Sequence, residues 1–393
     1  MISREEVFKM VISPPLELGL RSFGVWPGST FPRLYQFIWA ISMILALVLQ
    51  FWYVIIRIGV ASLPELLECI CTIFTYIVAF SKLIFFWANR RIFYWILEGI
   101  HEDWKENIDA DWSRRIIYRK AKLAMVYCNW IMGIDMSTGF FYGMTIITTD
   151  SINYWTAADK ANVTRNFVIR MELPFDSQAT PIYEFVLITQ FMNELAMVVV
   201  GATVNCVVIS LIFHISGQID IIRERFISLD RNSDSTFSIL RSLVSKHQKL
   251  IIFSENIEHL FSYIALVQFL FLTLLICCLG LQFVITLDAK PDYLAMILIQ
   301  LLGYYLTMNL EAFIICYAGE YLSEQSKSIG EAAYNIPWYN MTKRECSILL
   351  PVILRSQKQL KITIGKFMDL TLERFASIVK ASLSYMSVLY ALY

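Results

Sequence analysis

The sequence predicts an all-α membrane protein of seven transmembrane helices, with a cytoplasmic N-terminus, an extracellular C-terminus and a cytoplasmic helical anchor region. Three observations predict it. The 393 residues are 57% hydrophobic and 17% charged, with a mean hydropathy of +0.56, whereas soluble domains run at about 45–50% apolar and about 25% charged. Seven apolar windows are long enough to cross a bilayer core of about 30 Å, which takes about 20 helical residues. Lysine and arginine segregate between alternate loops, 26 on one side against five on the other with Arg57 included. The positive-inside rule puts the richer side in the cytoplasm.

The windows are 34–56, 69–88, 123–147, 183–213, 262–287, 293–317 and 375–393. The first and fifth carry no charge, and each of the others holds one or two ionisable residues. Residues 1–33 have no cleavable signal pattern, so the first span is expected to direct membrane insertion. On the cytoplasmic side the stretches "GQIDIIRERFISLD", "ILRSLVSKHQKLIIFSENIEHLF" and "ECSILLPVILRSQKQLKITIGKFMDLTLERF" repeat apolar residues at helical spacing, the last interrupted at Pro351. Their apolar faces suit either lipid headgroups or one another, and their convergence on one side favours packing as an anchor formed by 214–260 and 318–374. No linker or internal repeat divides residues 1–393, which read as one domain. In the loop after the third span, placed outside, Asn162-Val163-Thr164 is a candidate glycosylation site.

Several functions are excluded. With 33 basic and 33 acidic residues the chain lacks the charge of a nucleic-acid binder. Its eight cysteines sit in or beside apolar runs without a CxxC pair, which reads as filler and not as a disulfide framework or zinc site. The four histidines are scattered and no nucleotide-binding or protease motif is present, so no enzyme, metal or cofactor is expected. The cytoplasmic N-terminus is the reverse of a G-protein-coupled receptor.

Charges inside the spans need partners or a polar interior. Lys82 lies six residues from the cytoplasmic end of its span, about 9 Å by helical rise, and Glu311 and Lys380 are similarly placed. They read as inner-leaflet anchors or a Lys–Glu pair. Asp135 and Glu194 fall near the midplane and read as hydrogen-bonded carboxylates of the bundle, with ion coupling as the alternative. The outer halves of the spans are rich in aromatic, methionine and small residues, among them Phe74, Phe140, Met192, Tyr304 and Tyr305, with Gly133, Gly139 and Gly143 leaving room. Such a set fits an apolar ligand pocket or ordinary close helix packing. In the last span Ser377, Ser384 and Ala391 recur every seven residues, a small and mildly polar stripe suited to a water path.

The stretches "CYAGEYLSEQSKSIGEAAYNIPWYN" (316–340) and "RSQKQLKITIGKFMDLTLERFASIVKASLSYMSVLY" (355–390) resemble the C-terminal signature of insect odorant receptors. "HISGQIDIIRERF" and "SKLIFFWANRR" are similar to further stretches of that family. The resemblance implies a non-selective cation channel opened directly by volatile organic ligands, without a G protein. It implies a heterotetramer with a shared co-receptor, in the plasma membrane of olfactory neuron dendrites. The short segment between the fourth and fifth spans, Ile215 to Phe261, implies an odorant-tuning subunit.

Carried onto this sequence, the resemblance implies a ligand pocket among spans two to six. Its candidate lining is Phe74, Thr75, Val78, Met136, Gly139, Phe140, Gly143, Phe185, Ile188, Thr189, Met192, Gln300, Tyr304 and Tyr305. The implied pore stripe runs through Ser377, Lys380, Ala381, Ser384, Val388, Ala391 and Leu392, with Val388 and Leu392 as the apolar constriction. The residue mixture suits esters, alcohols, hydrocarbons and pheromones alike. A gustatory receptor channel of the same superfamily is the nearest alternative, and a secondary transporter a more distant one.

Overall fold

A computed structural model describes residues 12–29, 31–107, 110–156, 165–229, 236–289 and 294–392. Ten helices follow in chain order: α1 (Pro14–Ser22), α2 (Pro32–Arg57), α3 (Leu63–Ala88), α4 (Arg90–Asn107), α5 (Asp111–Thr156), α6 (Ile182–Ile227), α7 (Thr236–Ala289), α8 (Leu294–Tyr334), α9 (Lys343–Ser356) and α10 (Leu372–Leu392). A two-stranded hairpin, β1 (Thr363–Ile364) and β2 (Met368–Asp369), precedes α10.

Helices α2, α3, α5, α6, α7, α8 and α10 form the bundle and contain the seven windows in order. By length and composition alone α2, α3, α6, α7 and α8 qualify as membrane spans. In α5 and α10, acidic, threonine and serine residues dilute the apolar run. Helix α6 is central: from Val200 to Ile219 every residue is buried, which explains why "VGATVNCVVISLIFHISG" is apolar around its whole circumference. Helix α2 lies at the periphery, exposing Phe37, Ile41, Ile44, Val48 and Ile55 as a lipid-facing helix does.

Helices α5 to α8 hold 46, 46, 54 and 41 residues, twice what a bilayer needs. Their excess projects at one end, called here the anchor end, together with α4, α9 and the hairpin. There the predicted amphipathic faces pack on one another. His214 Nε2 lies 3.0 Å from Asp103 Oδ2 on α4, and Lys249 Nζ lies 3.0 Å from Asp103 Oδ1. Burial raises the Asp103 pKa, but His214 and Lys249 outweigh it and the carboxyl ends below its usual range. Residues 165–181 cap the opposite end, where Arg170 Nε lies 2.6 Å from Glu68 Oε2 and Ile169 N donates to Gln190 Oε1.

Two local expectations are corrected. The stretch before α10 is not helical throughout: residues 357–371 leave the helix and form the hairpin. The sequence "TIGKFMD" alternates as strands do, and Gly365 and Lys366 adopt φ of +58 and +66, the left-handed pair that a tight hairpin turn requires. Gly365 N donates to Ser262 O at 2.9 Å, docking the hairpin on α7. Pro351 does not interrupt α9, because the Ser347 carbonyl that loses its donor lies on an exposed side of the helix. A capping box between Thr342 and Glu345 starts that helix. The segment around α1 also packs into the core through Leu16, Leu20, Phe23 and Trp26, and the Trp39 and Trp87 indoles donate to Ser22 O and Phe23 O.

Two stability predictions follow from these contacts. A Cβ on Gly319 would sit 2.7 Å from both Leu370 Cβ and Leu370 O, and the backbone oxygen cannot yield. Gly319→Val should cost about 1–3 kcal/mol as overpacking does and lower the melting temperature of detergent-solubilised protein, whereas Gly133→Ala, with nothing within 4 Å of its Cβ position, should not. Burial first and the Arg355 charge second push the His247 imidazole down to about 4. The unfolded chain therefore takes up a proton that the fold refuses between pH 6.5 and about 4, and stability falls as pH drops through that window. The slope is at most about 1.4 kcal/mol per pH unit. His247→Gln should flatten the fall in melting temperature between pH 7 and pH 5, and an unchanged slope would rule His247 out as its source.

Candidate ligand cavity

Five bundle helices enclose an internal cavity of about 80 Å³. A water needs roughly 10–15 Å³ on that measure, so the space holds several water-sized groups. Four helices each contribute residues at i, i+3, i+4 and i+7, one face of a helix. They are Asp135, Thr138, Gly139 and Tyr142 on α5; Glu194, Met197, Val198 and Gly201 on α6; Gln268, Phe271, Leu272 and Leu275 on α7; and Tyr304, Thr307, Met308 and Glu311 on α8. Helix α3 adds Thr72, Thr75, Tyr76, Val78, Ala79 and Lys82.

The cavity is apolar along its walls and polar at its floor. Lys82, 1% exposed, pairs with Glu311 at 3.2 Å, the Lys–Glu pair considered from sequence. Gln268 Nε2 donates to the same Glu311 oxygen at 3.3 Å. Gly201 makes room for them: a Cβ there would lie 3.3 Å from Glu311 Oε1. Asp135 is 3% exposed, its Oδ2 has no hydrogen-bond partner, and no side chain or backbone group among the described residues bonds its carboxyl, so the expected hydrogen-bonded carboxylate is not realised there. Tyr76 Oη and Gln268 Oε1 are likewise buried without partners.

At the other end Thr75 Oγ1 and Tyr304 Oη are hydrogen-bonded, and Tyr142 and Tyr304 meet edge-to-face at 5.8 Å. These two tyrosines also line a second, more polar space of about 360 Å³ at the loop end, beside Glu68, Arg170, Gln282 and Gln300. They form the wall between the two spaces. Thr307 Oγ1 donates to Thr138 Oγ1 at 3.0 Å, closing α8 on α5.

Of the residues singled out in the sequence, Thr75, Val78, Gly139 and Tyr304 line the cavity, and Gln300 lines the second space with Tyr304. Phe74 packs beside it against Phe271 at 5.4 Å, Tyr305 joins the core, and Gly143 accommodates the Phe191 ring. Met136 is half-buried and does not reach the cavity. Phe140, Phe185, Ile188, Thr189 and Met192 face outward, Phe185 with 73% of its surface exposed. The stripe 185, 188, 189, 192 is helical in spacing but belongs to the outer side of α6, opposite Gln190, Glu194 and Met197. Sequence reasoning missed Tyr76, Tyr142, Met197, Gln268, Phe271 and Leu272 as lining. The signal was present as the i, i+3, i+4, i+7 series anchored on each membrane-embedded polar residue.

In α10 the row Ile378, Ser382, Met386 packs on α7, Cys277 Sγ donating to Ser382 O and Gly280 approaching Met386. Ser377, Lys380, Ser384, Val388 and Ala391 lie on the exposed side. Asn162 and the Leu392 side chain lie outside the described residues. Among the described residues no group of three or more His, Cys, Asp and Glu side chains is placed to hold a metal ion.

Breaking a buried pair by removing one partner costs about 3–5 kcal/mol, while replacing both with apolar groups is often neutral. Lys82→Met should therefore lower the melting temperature of the solubilised protein more than Lys82→Met combined with Glu311→Leu. Equal loss in both would mean that the pair contributes only bulk.

Residues 62–383, from the start of α3 into α10, match the model of the 7tm odorant receptor family. Odorant receptor 13a of Drosophila melanogaster is 25% identical over 428 aligned residues, covering 98% of this chain and 97% of that protein. Odorant receptor 82a of the same species is 22% identical over 84% of each. In fold the chain is similar to the insect olfactory receptor OR5 from Machilis hrabei in complex with eugenol, with a TM-score of 0.78 at 17% identity, covering 99% of this chain and 100% of that one. With its sequence match running through six of the seven bundle helices, the chain belongs to the 7tm odorant receptor family.

Proposed function

We propose that this chain is the odorant-tuning subunit of a ligand-gated, non-selective cation channel, with a small volatile organic ligand in the cavity and the pore along α10. The anchor end faces the cytoplasm, in line with the 26 Lys and Arg residues on that side. The receptor sits in the plasma membrane of sensory dendrites and works in a heterotetramer with the family's co-receptor.

One observation carries the reading: the two helices that line the cavity deepest in sequence are also the two that hold α10. Helix α8 supplies Glu311 to the cavity floor, and its Glu320 carboxylate accepts from Leu372 N at the start of α10 at 2.7 Å. Phe313 meets Phe375 edge-to-face at 5.8 Å. Helix α7 supplies Gln268 to the floor and bonds α10 through Cys277. A ligand that prefers one packing of α7 against α8 thereby biases α10, and its differential affinity for that packing sets how far the equilibrium moves. The side of α10 left exposed by the single chain, with Ser384, Val388 and Ala391, then lines the axis between subunits, and Val388 with Leu392 narrows it.

Co-expressed with the co-receptor, the chain should give odorant-evoked cation currents that neither subunit gives alone. Met197→Ala with Phe271→Ala should raise the half-maximal odorant concentration at least tenfold, and Val388→Ser should alter permeation or rectification with little effect on that concentration. Odorant accumulation without current would replace the channel by a transporter, and unaltered permeation would remove α10 from the pore.

A further inference from the structure

We infer that the ligand is protic, a small alcohol or amine whose head donates a hydrogen bond to Asp135 or Gln268 at the cavity floor. This inference deepens the proposed function and rests on it for the site. The floor has more acceptors than its own donors satisfy. Lys82 and the Gln268 amide both serve Glu311 Oε2, at 3.2 and 3.3 Å. That fixes the Gln268 orientation, since the reversed amide would set its carbonyl against the carboxylate, and it turns Gln268 Oε1 away from Glu311. Asp135 Oδ2 and Gln268 Oε1 remain as buried acceptors without a donor among the described residues, on side chains 3% and 4% exposed that both line the cavity.

Tyr76 Oη, on a side chain 1% exposed that lines the same cavity, also has no partner, and a hydroxyl can accept from it. An alcohol donates its single hydroxyl proton to Asp135 or Gln268. A primary amine donates to both acceptors. Its positive form also suits a cavity in which three carboxylates, Asp135, Glu194 and Glu311, face a single ammonium, Lys82. An ester, ketone, ether or hydrocarbon can do neither and leaves the buried acceptors unmatched, which is where hydrogen-bonding sites discriminate most strongly. The apolar remainder of the ligand lies against Met197, Phe271 and Leu272, whose walls set chain length.

The test is a matched series with one carbon skeleton: alkanol, alkylamine, alkyl methyl ether and alkane. Two readouts are taken, current with the co-receptor present and thermal stabilisation of the purified receptor. The alkanol or the amine should act at least tenfold below the ether in half-maximal concentration and should alone raise the melting temperature. Asp135→Asn, which keeps the shape and an acceptor oxygen, should erase an amine advantage while sparing an alcohol's. Asp135→Leu with Gln268→Leu, checked for surface delivery, should reduce either advantage below threefold. Equal potency of ether and alkanol, or an advantage that survives the double variant, overturns the inference and leaves the channel standing. Protic-selective stabilisation without any current overturns the channel instead.

Discussion

An ammonium buried to 1% exposure inside an apolar bundle persists only where a carboxylate meets it, and the Lys82–Glu311 contact decides how α3 and α8 face each other. Both helices run from the loop end to the anchor end. Seven residues back from Lys82 is Thr75, and seven back from Glu311 is Tyr304, and these two are also hydrogen-bonded. Two polar contacts spaced two turns apart, about 10 Å by helical rise, fix rotation and axial register together. The ion pair supplies the larger penalty for slipping, because a slip would strand a charge. With α3 and α8 locked, the room between their contacts is the cavity, and α5, α6 and α7 close it with the faces that carry their own membrane-embedded polar groups.

That arrangement explains which parts of the site were legible in the sequence. In a bilayer, lipid is as apolar as a protein core, so large hydrophobic residues do not reveal which side of a helix is inside. Phe140 and Met192, offered as pocket walls by residue type, and Phe185 and Ile188, implied by the resemblance, are all large and apolar, and all four face outward. Polar and small residues do report sidedness, since lipid penalises the first and close helix approach needs the second. Thr75, Gly139 and Tyr304 carry those features, and they face the cavity. Helix α7 offers a fainter handle: its membrane half is free of charge, and the uncharged Gln268 marks the face that carries Phe271 and Leu272.

The membrane helices and their extensions beyond the bilayer could be read because both depend on length and on one periodicity. Irregular connections could not. The hairpin before α10 followed a stretch of helical spacing, and its two-residue alternation spans too few positions to compete with that pattern. What decides it is the Gly365-Lys366 turn and the Ser262 carbonyl waiting on α7, a partner far away in sequence. The packing of α1 under the bundle likewise depends on indoles of Trp39 and Trp87 reaching the backbone oxygens of its last residue, Ser22, and of Phe23 just after it. Nothing local announces such a contact.

The same polar floor bears on how binding could reach α10. Close-packed interfaces resist continuous deformation and shift between discrete packings. Gln268 on α7 and Lys82 on α3 converge on one oxygen of Glu311 on α8, so these three helices share a single electrostatic junction. Under the proposed function, a group that enters the floor competes for or supplements that junction, which is where it would bear on the relation of α7 to α8. Helix α10 rests on both, through Cys277 and Gly280 on one side and Phe313 and Glu320 on the other. A helix held on two partners is the element through which a change in their relation would be read, as the proposed function requires. The exposed row of Ser384, Val388 and Ala391 lies on that helix, so the contacts that hold α10 to α7 and α8 also set where the row stands.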